Sequence, residues 1–279
     1  MLIDTNTKVC LVIGDPVAHS LSPAMHNAAY EALGLGSQYV FLPSRVTASE
    51  LALKMSEVKE SANIYVLAVT VPHKETIIKY LNRLDETARA IGAVNTVVKE
   101  EGKLVGYNTD YYGAIESLKA HTGLNGKKVA VLGAGGSARA IIYGLTKEQC
   151  NVIIYSRNIE KGKEITDEFG GQSIDWEKRN DSIDCDIVIN ATNIGREGKE
   201  LPLSEEMISA KQVIFDINYN FNGTALLNAA KRKGATVIDG LEMLLRQGMK
   251  QFEIYTGLKA PEEAMRNALN KKVNHANAI

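Results

Sequence analysis

Short apolar runs alternate with helical patterns along almost all of this chain. Such alternation is typical of strands joined by helices, and it predicts an α/β fold with parallel sheets. The runs that indicate strands are 8–13, 38–42, 64–71, 94–98, 104–107, 129–132, 152–155, 172–174, 186–190, 213–217 and 236–238. We expect the pair 94–98 and 104–107 to form a hairpin around Glu101 and Gly102.

The domain organisation follows from the length and from the order of these runs. A chain of 279 residues is long enough for about two domains. We predict one domain at 110–240, where six strands alternate with helices as in a dinucleotide-binding sheet. The other combines 1–109 with 241–279, because only helices follow Gly240 and this tail is expected to pack back on the first domain. A cleft between the two domains is the expected site.

Charge and cysteine content argue against several classes of protein. The formal net charge of −1 gives no bulk attraction to nucleic acid or to an anionic membrane. The three cysteines, Cys10, Cys150 and Cys185, lack CxxC or metal-ligand spacing and favour a reducing compartment. The apolar run 9–13 is too short for a signal peptide or a membrane span. We therefore expect a soluble cytoplasmic protein without a metal.

A glycine-rich turn follows the run 129–132 and opens a helical pattern. Its residues, with Ala138 after them, match the spacing G-x-G-x-x-A: Gly133, Ala134, Gly135, Gly136 and Ser137. Glycines allow a tight turn and a close approach of the backbone to a pyrophosphate, which is also attracted to the positive end of the helix. The sequence therefore predicts a dinucleotide site at this turn.

The end of the next strand indicates which dinucleotide is bound. An NAD site usually has an acidic residue about 20 residues past the glycines, where it binds the ribose 2′-hydroxyl. This sequence instead has Ser156, Arg157 and Asn158, followed by Lys161. Cationic side chains suit a 2′-phosphate, so NADP is favoured over NAD. The alternative is that both cations are solvated surface charges.

Two segments of the first domain place polar residues at the ends of elements. Ser20 and Ser22 lie at a predicted helix N-terminus, with Ser22 as the N-cap, where hydroxyls and free amides can bind a carboxylate. Lys74 follows Pro72 and the buried run 64–69, and ligands in α/β sheets lie at the ends of strands. The alternatives are a plain cap and turn for the serines and a solvated side chain for the lysine.

With these motifs the chain resembles the shikimate dehydrogenase family nearly end to end. The matching segments, in the family's order and spacing, are 14–27, 69–74 (VTVPHK), 92–96 (GAVNT), 108–110 (NTD), 190–192 (NAT), 216–219 (DINY) and 239–244 (DGLEML) leading to Gln247. The resemblance implies two α/β domains: an N-terminal substrate domain and a Rossmann-type NADP-binding domain, with C-terminal helices packing back on the first. It also implies NADP-dependent, reversible reduction of 3-dehydroshikimate to shikimate by hydride transfer, in aromatic amino acid and chorismate biosynthesis.

The resemblance also implies roles for matching positions. Lys74 and Asp110 would form the catalytic pair, acting in proton transfer and contacting the substrate. The other substrate residues would be Ser20 and Ser22 at the carboxylate, and Thr70, Asn95, Tyr219 and Gln247 around the ring and its hydroxyls. The cofactor would be held by Gly133, Ala134, Gly135, Gly136 and Ser137 at the pyrophosphate, by Ser156, Arg157, Asn158 and Lys161 at the 2′-phosphate, by Thr192, Ile217 and Gly240 at the nicotinamide half, and by Glu86.

Four of these residues have a purely structural alternative. Asn95 can satisfy backbone groups at a strand start, and Asp110 can cap a helix. Tyr219 can be a core aromatic, and Gln247 can be a solvated helix residue.

The sequence departs from the family pattern at three positions. Ala68 stands where the family usually has Asn, Ser156 where the 2′-phosphate motif usually begins with Asn, and Phe221 where a Pro is usual. The change at Ala68 leaves open a quinate/shikimate dehydrogenase with relaxed substrate or cofactor choice. A second alternative is a non-catalytic NADP-binding sensor on the same fold. The expected partner is a small-molecule substrate, with no nucleic acid and no membrane, and a homodimer is left open.

Overall fold

The computed structural model describes residues 3–181, 183–196, 200–220 and 223–276. Phe221 therefore lies outside the described residues. By internal contacts the chain divides into a first unit, Met1–Thr109 with Gln247–Ile279, and a second unit, Asp110–Arg246. No helix in the described ranges is both long enough and apolar enough to cross a bilayer.

The first unit contains a six-stranded mixed sheet. Its elements in chain order are β1 (Lys8–Gly14), α1 (Ser22–Ala32), β2 (Tyr39–Arg45), α2 (Leu51–Glu60), β3 (Ile64–Val69), β4 (Arg83–Leu84), α3 (Glu86–Ile91), β5 (Thr96–Glu100) and β6 (Lys103–Tyr107). The strand order is β2-β1-β3-β5-β6-β4. The predicted hairpin is confirmed, and its turn places Glu101 and Gly102 at φ 48° and 76°. Strand β5 is antiparallel both to β6, as the hairpin requires, and to β3, so this sheet is mixed.

The second unit contains a six-stranded sheet that is parallel throughout. The remaining elements of the chain are α4 (Asp110–Lys119), β7 (Lys128–Leu132), α5 (Gly136–Lys147), β8 (Asn151–Ser156), α6 (Ile159–Phe169), β9 (Gln172–Asp175), β10 (Ile187–Asn190), β11 (Val213–Asp216), α7 (Ala225–Arg232), β12 (Thr236–Ile238), α8 (Gly240–Thr256) and α9 (Glu262–Ala276). The strand order β12-β11-β10-β7-β8-β9 is that of a complete dinucleotide-binding sheet. The order reverses between β7 and β10, so the carboxyl ends of these two strands border the crevice where such sheets bind ligands.

Both faces of the second sheet are covered, because successive side chains of a strand point to opposite faces. Val129 and Val131 of β7 pack in one apolar cluster with helices α4 and α5. Ala130 and Leu132 pack in a second cluster with α7. Burial on both faces explains why these strands are continuous apolar runs in the sequence.

The C-terminal helices complete the first unit, as the sequence predicts. Helix α9 packs against α1. Near the end of α8 the Tyr255 hydroxyl lies 2.7 Å from the hydroxyl of Tyr30 and 2.9 Å from Nδ1 of His26. These buried contacts to α1 hold the tail on the first unit.

Candidate functional site

The glycine-rich turn of the second unit lies between β7 and α5, at the switch point of the sheet. Gly133 has φ +113°, and a Cβ there would lie 3.0 Å from the carbonyl oxygen of Ala191 and 3.1 Å from Cγ2 of Thr192. Gly135 is the N-cap of α5 and provides no side-chain cap, so amides at the start of this helix keep their donors. A backbone this close to its neighbours, leading into a helix N-terminus without a side-chain cap, fits a pyrophosphate.

The predicted 2′-phosphate residues lie together at the end of β8. Arg157 is exposed and forms no ion pair with any described residue. Asn158 is the N-cap of α6, and its Oδ1 accepts the backbone N–H of Lys161 at 3.0 Å. The hydroxyl of buried Ser156 donates to the carbonyl of Asn158 at 3.0 Å, so it shapes this turn. The guanidinium of Arg157 is therefore the group best placed to meet an anion here.

The carboxyl ends of β10 and β11 are joined by a buried polar network. Nδ2 of Asn190 and Nδ2 of Asn218 each donate to Oδ1 of Asp216 at 3.0 Å. Oδ1 of Asn190 accepts the Thr192 hydroxyl at 2.7 Å, and Nδ2 of Asn218 donates to the Thr192 carbonyl at 2.8 Å. Thr192 is thus fixed beside Gly133.

The Asp216 carboxyl at the centre of this network is fully buried. Burial raises its pKa to about 6, against the opposing effect of hydrogen bonds from Thr224, Asn218 and Asn190. A buried carboxylate that accepts several donors fixes those donors in one arrangement. Asp216 therefore organises the two strand ends.

Ile217 and Gly240, both predicted at the nicotinamide half, are in direct contact. A Cβ on Gly240 would collide with the carbonyl oxygen of Ile217, so only glycine fits at the start of α8. The Ile217 amide donates to the Asn190 carbonyl at 3.1 Å. Tyr219, two residues further on, is half-buried and not a fully buried core aromatic. The structure thus brings Thr192, Ile217 and Gly240 to one edge of the sheet.

Asp110 is the first residue of α4 and is buried, at 4% exposure. Its Oδ2 accepts a hydrogen bond of 3.4 Å from the hydroxyl of Ser137, in the first turn of α5. The residue predicted to act in proton transfer therefore lies beside the glycine-rich turn.

In the first unit the two predicted carboxylate-binding serines lie at the N-terminus of α1. Oγ of Ser20 accepts the backbone N–H of Ser22 at 3.4 Å. The prediction of Ser22 as the N-cap is wrong by one residue, since the helix begins at Ser22 and Leu21 is the cap. Leu21 has no polar side chain and Pro23 has no amide proton, so the serine hydroxyls and the amide that follows Pro23 are the donors available to an anion at this helix end.

Lys74 lies in the turn between β3 and a short 3-10 helix, Thr76–Tyr80. The turn forms because the Thr70 amide still pairs with Ile13 at 2.9 Å while its carbonyl accepts the His73 amide at 3.0 Å. Nε2 of buried His73 donates to the Val46 carbonyl at 2.7 Å. Lys74 itself is half-buried, and so is Thr70.

Asn95, Thr109 and Gln247 form a buried amide and hydroxyl cluster, although they are far apart in the sequence. Nδ2 of Asn95 donates to Oγ1 of Thr109 at 2.9 Å and to Oε1 of Gln247 at 3.2 Å. Oδ1 of Asn95 accepts the Thr109 amide at 2.8 Å. Gln247 is 7% exposed, so the alternative of a solvated helix residue is wrong.

The backbone of Lys74 is hydrogen-bonded to the segment that leads into β5 and contains Asn95. Its carbonyl accepts the amide of Val94, the residue before Asn95, at 2.8 Å. The first unit thereby brings Lys74 and the Asn95 cluster to the same end of the β3–β5 pair. Glu86 is not part of this group: it is an exposed residue in the first turn of α3, where a negative charge suits the helix dipole.

Sequence reasoning missed several buried polar residues at these sites, among them Asp216 and Gln251. Asp216 lies inside the matched segment 216–219, and a carboxyl group at the end of an apolar strand was an available signal. Gln251 donates to the Asn95 carbonyl at 3.2 Å and to the Thr96 hydroxyl oxygen at 2.8 Å. The only signal for Gln251 in the sequence was its position one helical turn after Gln247.

Within the described ranges, no group of His, Cys, Asp and Glu side chains could hold a metal ion.

Three family models match most of the chain. Residues 12–97 match the shikimate dehydrogenase substrate binding domain. Residues 116–219 match shikimate / quinate 5-dehydrogenase, and residues 240–269 match the shikimate 5′-dehydrogenase C-terminal domain.

Individual proteins are similar over nearly the full length. A shikimate dehydrogenase (NADP(+)) of Nitrosopumilus maritimus is 41% identical, over 94% of this chain and 98% of that protein. The crystal structure of shikimate dehydrogenase from Aquifex aeolicus has a TM-score of 0.89 and 36% identity, covering 96% of this chain and 99% of that chain. Shikimate 5-dehydrogenase from Thermus thermophilus, solved in complex with NADP(H) and shikimate, has a TM-score of 0.85 and 34% identity, covering 95% and 99%.

Proposed function

Because the chain belongs to the shikimate dehydrogenase family, we propose that it catalyses the reversible NADP-dependent reduction of 3-dehydroshikimate to shikimate. This reaction belongs to aromatic amino acid and chorismate biosynthesis. The observation that carries the proposal is the link between Lys74 and the buried Asn95 cluster, through the 2.8 Å hydrogen bond from Val94. This hydrogen bond connects Lys74, which can transfer a proton, with the side chains of the Asn95 cluster, which can bind substrate hydroxyls.

The second unit fits NADP. Gly133, Gly135 and the first turn of α5 would hold the pyrophosphate, and Arg157 would pair with the 2′-phosphate. Thr192, Ile217 and Gly240 would border the nicotinamide. When bound, NADP supplies or takes up the hydride.

Lys74 and Asp110 act in proton transfer in this proposal. A carbonyl that gains a hydride carries negative charge on its oxygen and needs a proton there. The ammonium of Lys74 gives that proton in the reduction, and the neutral amine removes it in the oxidation. Asp110 orients this exchange by accepting a hydrogen bond from the reacting hydroxyl.

The remaining substrate residues hold the ring. The hydroxyls of Ser20 and Ser22 bind the carboxylate, because donors at a helix N-terminus favour an anion. Thr70, Asn95, Tyr219 and Gln247 bind the hydroxyls. Asn95 and Gln247 are buried and hydrogen-bonded to each other, which holds these two side chains in place.

A spectrophotometric assay tests the proposal. Purified protein with shikimate and NADP should produce absorbance at the reduced-nicotinamide band, and omission of either compound should abolish it. Protein that binds NADP but gives no absorbance change would instead support a non-catalytic NADP-binding sensor.

A second candidate is a quinate/shikimate dehydrogenase with relaxed substrate or cofactor choice. It is favoured by Ala68, a small residue in β3 directly opposite Thr96 and two residues before Thr70. Turnover of quinate and shikimate, each with NAD and NADP, separates the two candidates. Comparable kcat/KM for quinate and shikimate would support relaxed choice, and a preference above about a hundredfold for shikimate with NADP would reject it.

We further propose that the protein is cytoplasmic and forms a homodimer. Cys10, Cys150 and Cys185 are all free and buried, as suits a reducing compartment. Burial raises the pKa of Cys10 to about 12 and that of the other two thiols to about 11, so all stay protonated. Cell fractionation tests the location, and sedimentation equilibrium tests the dimer.

A further inference from the structure

Gln251 lies one helical turn beyond Gln247 on α8 and is 3% exposed. Both protons of its amide are used. Nε2 donates to the Thr96 hydroxyl oxygen at 2.8 Å and to the Asn95 carbonyl at 3.2 Å. That carbonyl also accepts the Val69 amide at 2.8 Å, so α8 and β3 hold the Asn95 backbone from two sides.

The hydrogen bonds around Thr96 have a fixed direction. A hydroxyl oxygen that accepts a proton from Gln251 can turn its own proton elsewhere. The Thr96 hydroxyl donates to Oδ1 of Asn95 at 2.8 Å. The donor sequence therefore runs from the Gln251 amide, through the Thr96 hydroxyl, to the Asn95 side-chain oxygen.

This chain of donors decides which way the Asn95 amide points. Oδ1 is occupied by the Thr96 hydroxyl and by the Thr109 amide, so Nδ2 must face the other way, towards Thr109 Oγ1 and Gln247 Oε1. A flipped amide would place Nδ2 against two donors and lose both bonds. The residue opposite Thr96 in the β3–β5 pair is Ala68.

We propose that Gln251 is a positioning residue for substrate binding, which acts through Thr96 to hold the Asn95 amide on the side of Thr109 and Gln247, where the ring is proposed to bind. This rests on the proposed function, in which Asn95 contacts the ring. Gln251 itself touches no substrate in this scheme. Its loss should raise the KM for shikimate while leaving the KM for NADP unchanged, because its hydrogen bonds all lie within the first unit.

The first test is Gln251→Met, which keeps the length of the side chain and removes its donors. We expect the shikimate KM to rise about tenfold, with kcat within about threefold of wild type and an unchanged NADP KM. Glu253→Met, in the same helix and half-buried, is the matched control and should leave all three constants unchanged.

The second test is Gln251→Glu, which has the same shape and a titratable donor. The protonated carboxyl can donate to Thr96, whereas the ionised form can only accept and forces the Thr96 hydroxyl to turn away from Asn95. The buried His26 imidazole of α1 faces residue 251, and burial lowers its pKa to about 3, so it stays neutral while the new carboxyl group, whose pKa burial raises, titrates. The ratio of variant to wild-type shikimate KM should rise at least fivefold as pH increases through this titration.

Three results would overturn the proposal: a shikimate KM within twofold of wild type in Gln251→Met, an equal rise in the KM for shikimate and NADP, or a pH-independent ratio in Gln251→Glu. Circular dichroism and melting temperature of each variant show whether it is folded. Wild-type protein that fails to oxidise shikimate would reject the proposed function instead, so the two failures are distinguishable.

Discussion

The hydroxyl of Ser137 donates a hydrogen bond to Oδ2 of Asp110 across 3.4 Å. The bond joins the first turn of α5, which follows the glycine-rich loop, to the first residue of α4. Within the second unit, the proposed pyrophosphate site and the proposed proton-transfer residue therefore share a contact. A substitution at either residue should therefore alter the position of the other side chain.

Ser137→Ala should lower kcat about fivefold, because it removes a donor that holds the Asp110 carboxylate in place. The measurement is steady-state shikimate oxidation at saturating NADP, so that weaker cofactor binding does not contribute. Ser117→Ala is the matched control, since its hydroxyl lies on α4, the helix of Asp110, but donates to the Gly113 carbonyl at 2.7 Å. An unchanged kcat in Ser137→Ala would show that the contact has no catalytic role.

Lys74→Ala should lose most turnover with little change in NADP binding. A positioned proton donor typically contributes ~10²–10⁴-fold to the rate, and the lysine is in the unit without the glycine-rich loop. The measurements are kcat from the absorbance assay and the Kd for NADP from calorimetry. Lys79→Ala, an exposed lysine in the following 3-10 helix, should behave as wild type. Wild-type turnover in Lys74→Ala would reject its assigned role.

Arg157→Ala should weaken NADP far more than NAD. A hydrogen bond to a charged group is worth about 1.5–3 kcal/mol, so the KM for NADP should rise at least tenfold while that for NAD stays within about twofold. Steady-state kinetics with each cofactor at saturating shikimate give both values. Lys163→Ala removes an exposed cation of the following helix, α6, and serves as the control. Equal effects on the two cofactors would argue against a 2′-phosphate contact.

Asp216→Asn should change how stability depends on pH. The folded pKa of Asp216 is about 6, above the ordinary value of 3.8, so between those values the folded chain binds more protons than the unfolded chain. The contribution of this group to the free energy of unfolding therefore falls as pH rises from about 4 to about 6 and is level above that. Asparagine cannot ionise, so the free energy of unfolding of the variant does not fall in this way. Relative to wild type it should rise over this pH window, by at most roughly 3 kcal/mol.

Urea unfolding of both proteins at pH 4.5, 5.5 and 7 measures this difference. Asp184→Asn is the control, because the Asp184 side chain is 96% exposed and its removal should not alter the pH dependence. Parallel curves for wild type and Asp216→Asn would contradict the assignment.

Local patterns in the sequence were sufficient for the elements that depend on local forces. A strand buried on both faces is largely apolar, and this is why the runs 129–132 and 186–190 were identifiable as strands without knowledge of their neighbours. The glycine-rich turn was also identifiable from local sequence, because the positive φ of Gly133 depends on that residue alone. The resemblance added roles that no local pattern indicates, such as those of Asn95 and Gln247.

The pairing of distant residues was decided only by the tertiary structure. The antiparallel attachment of β5 to β3 depends on contacts across the first sheet, and the hairpin pattern is compatible with either direction. Gln251 could not be identified from its neighbours in the chain, because a glutamine on a helix is ordinarily solvated and its partner Asn95 lies 156 positions away. A hydrogen-bonding side chain acquires its role from the groups that folding buries beside it, and the linear sequence does not contain those distances.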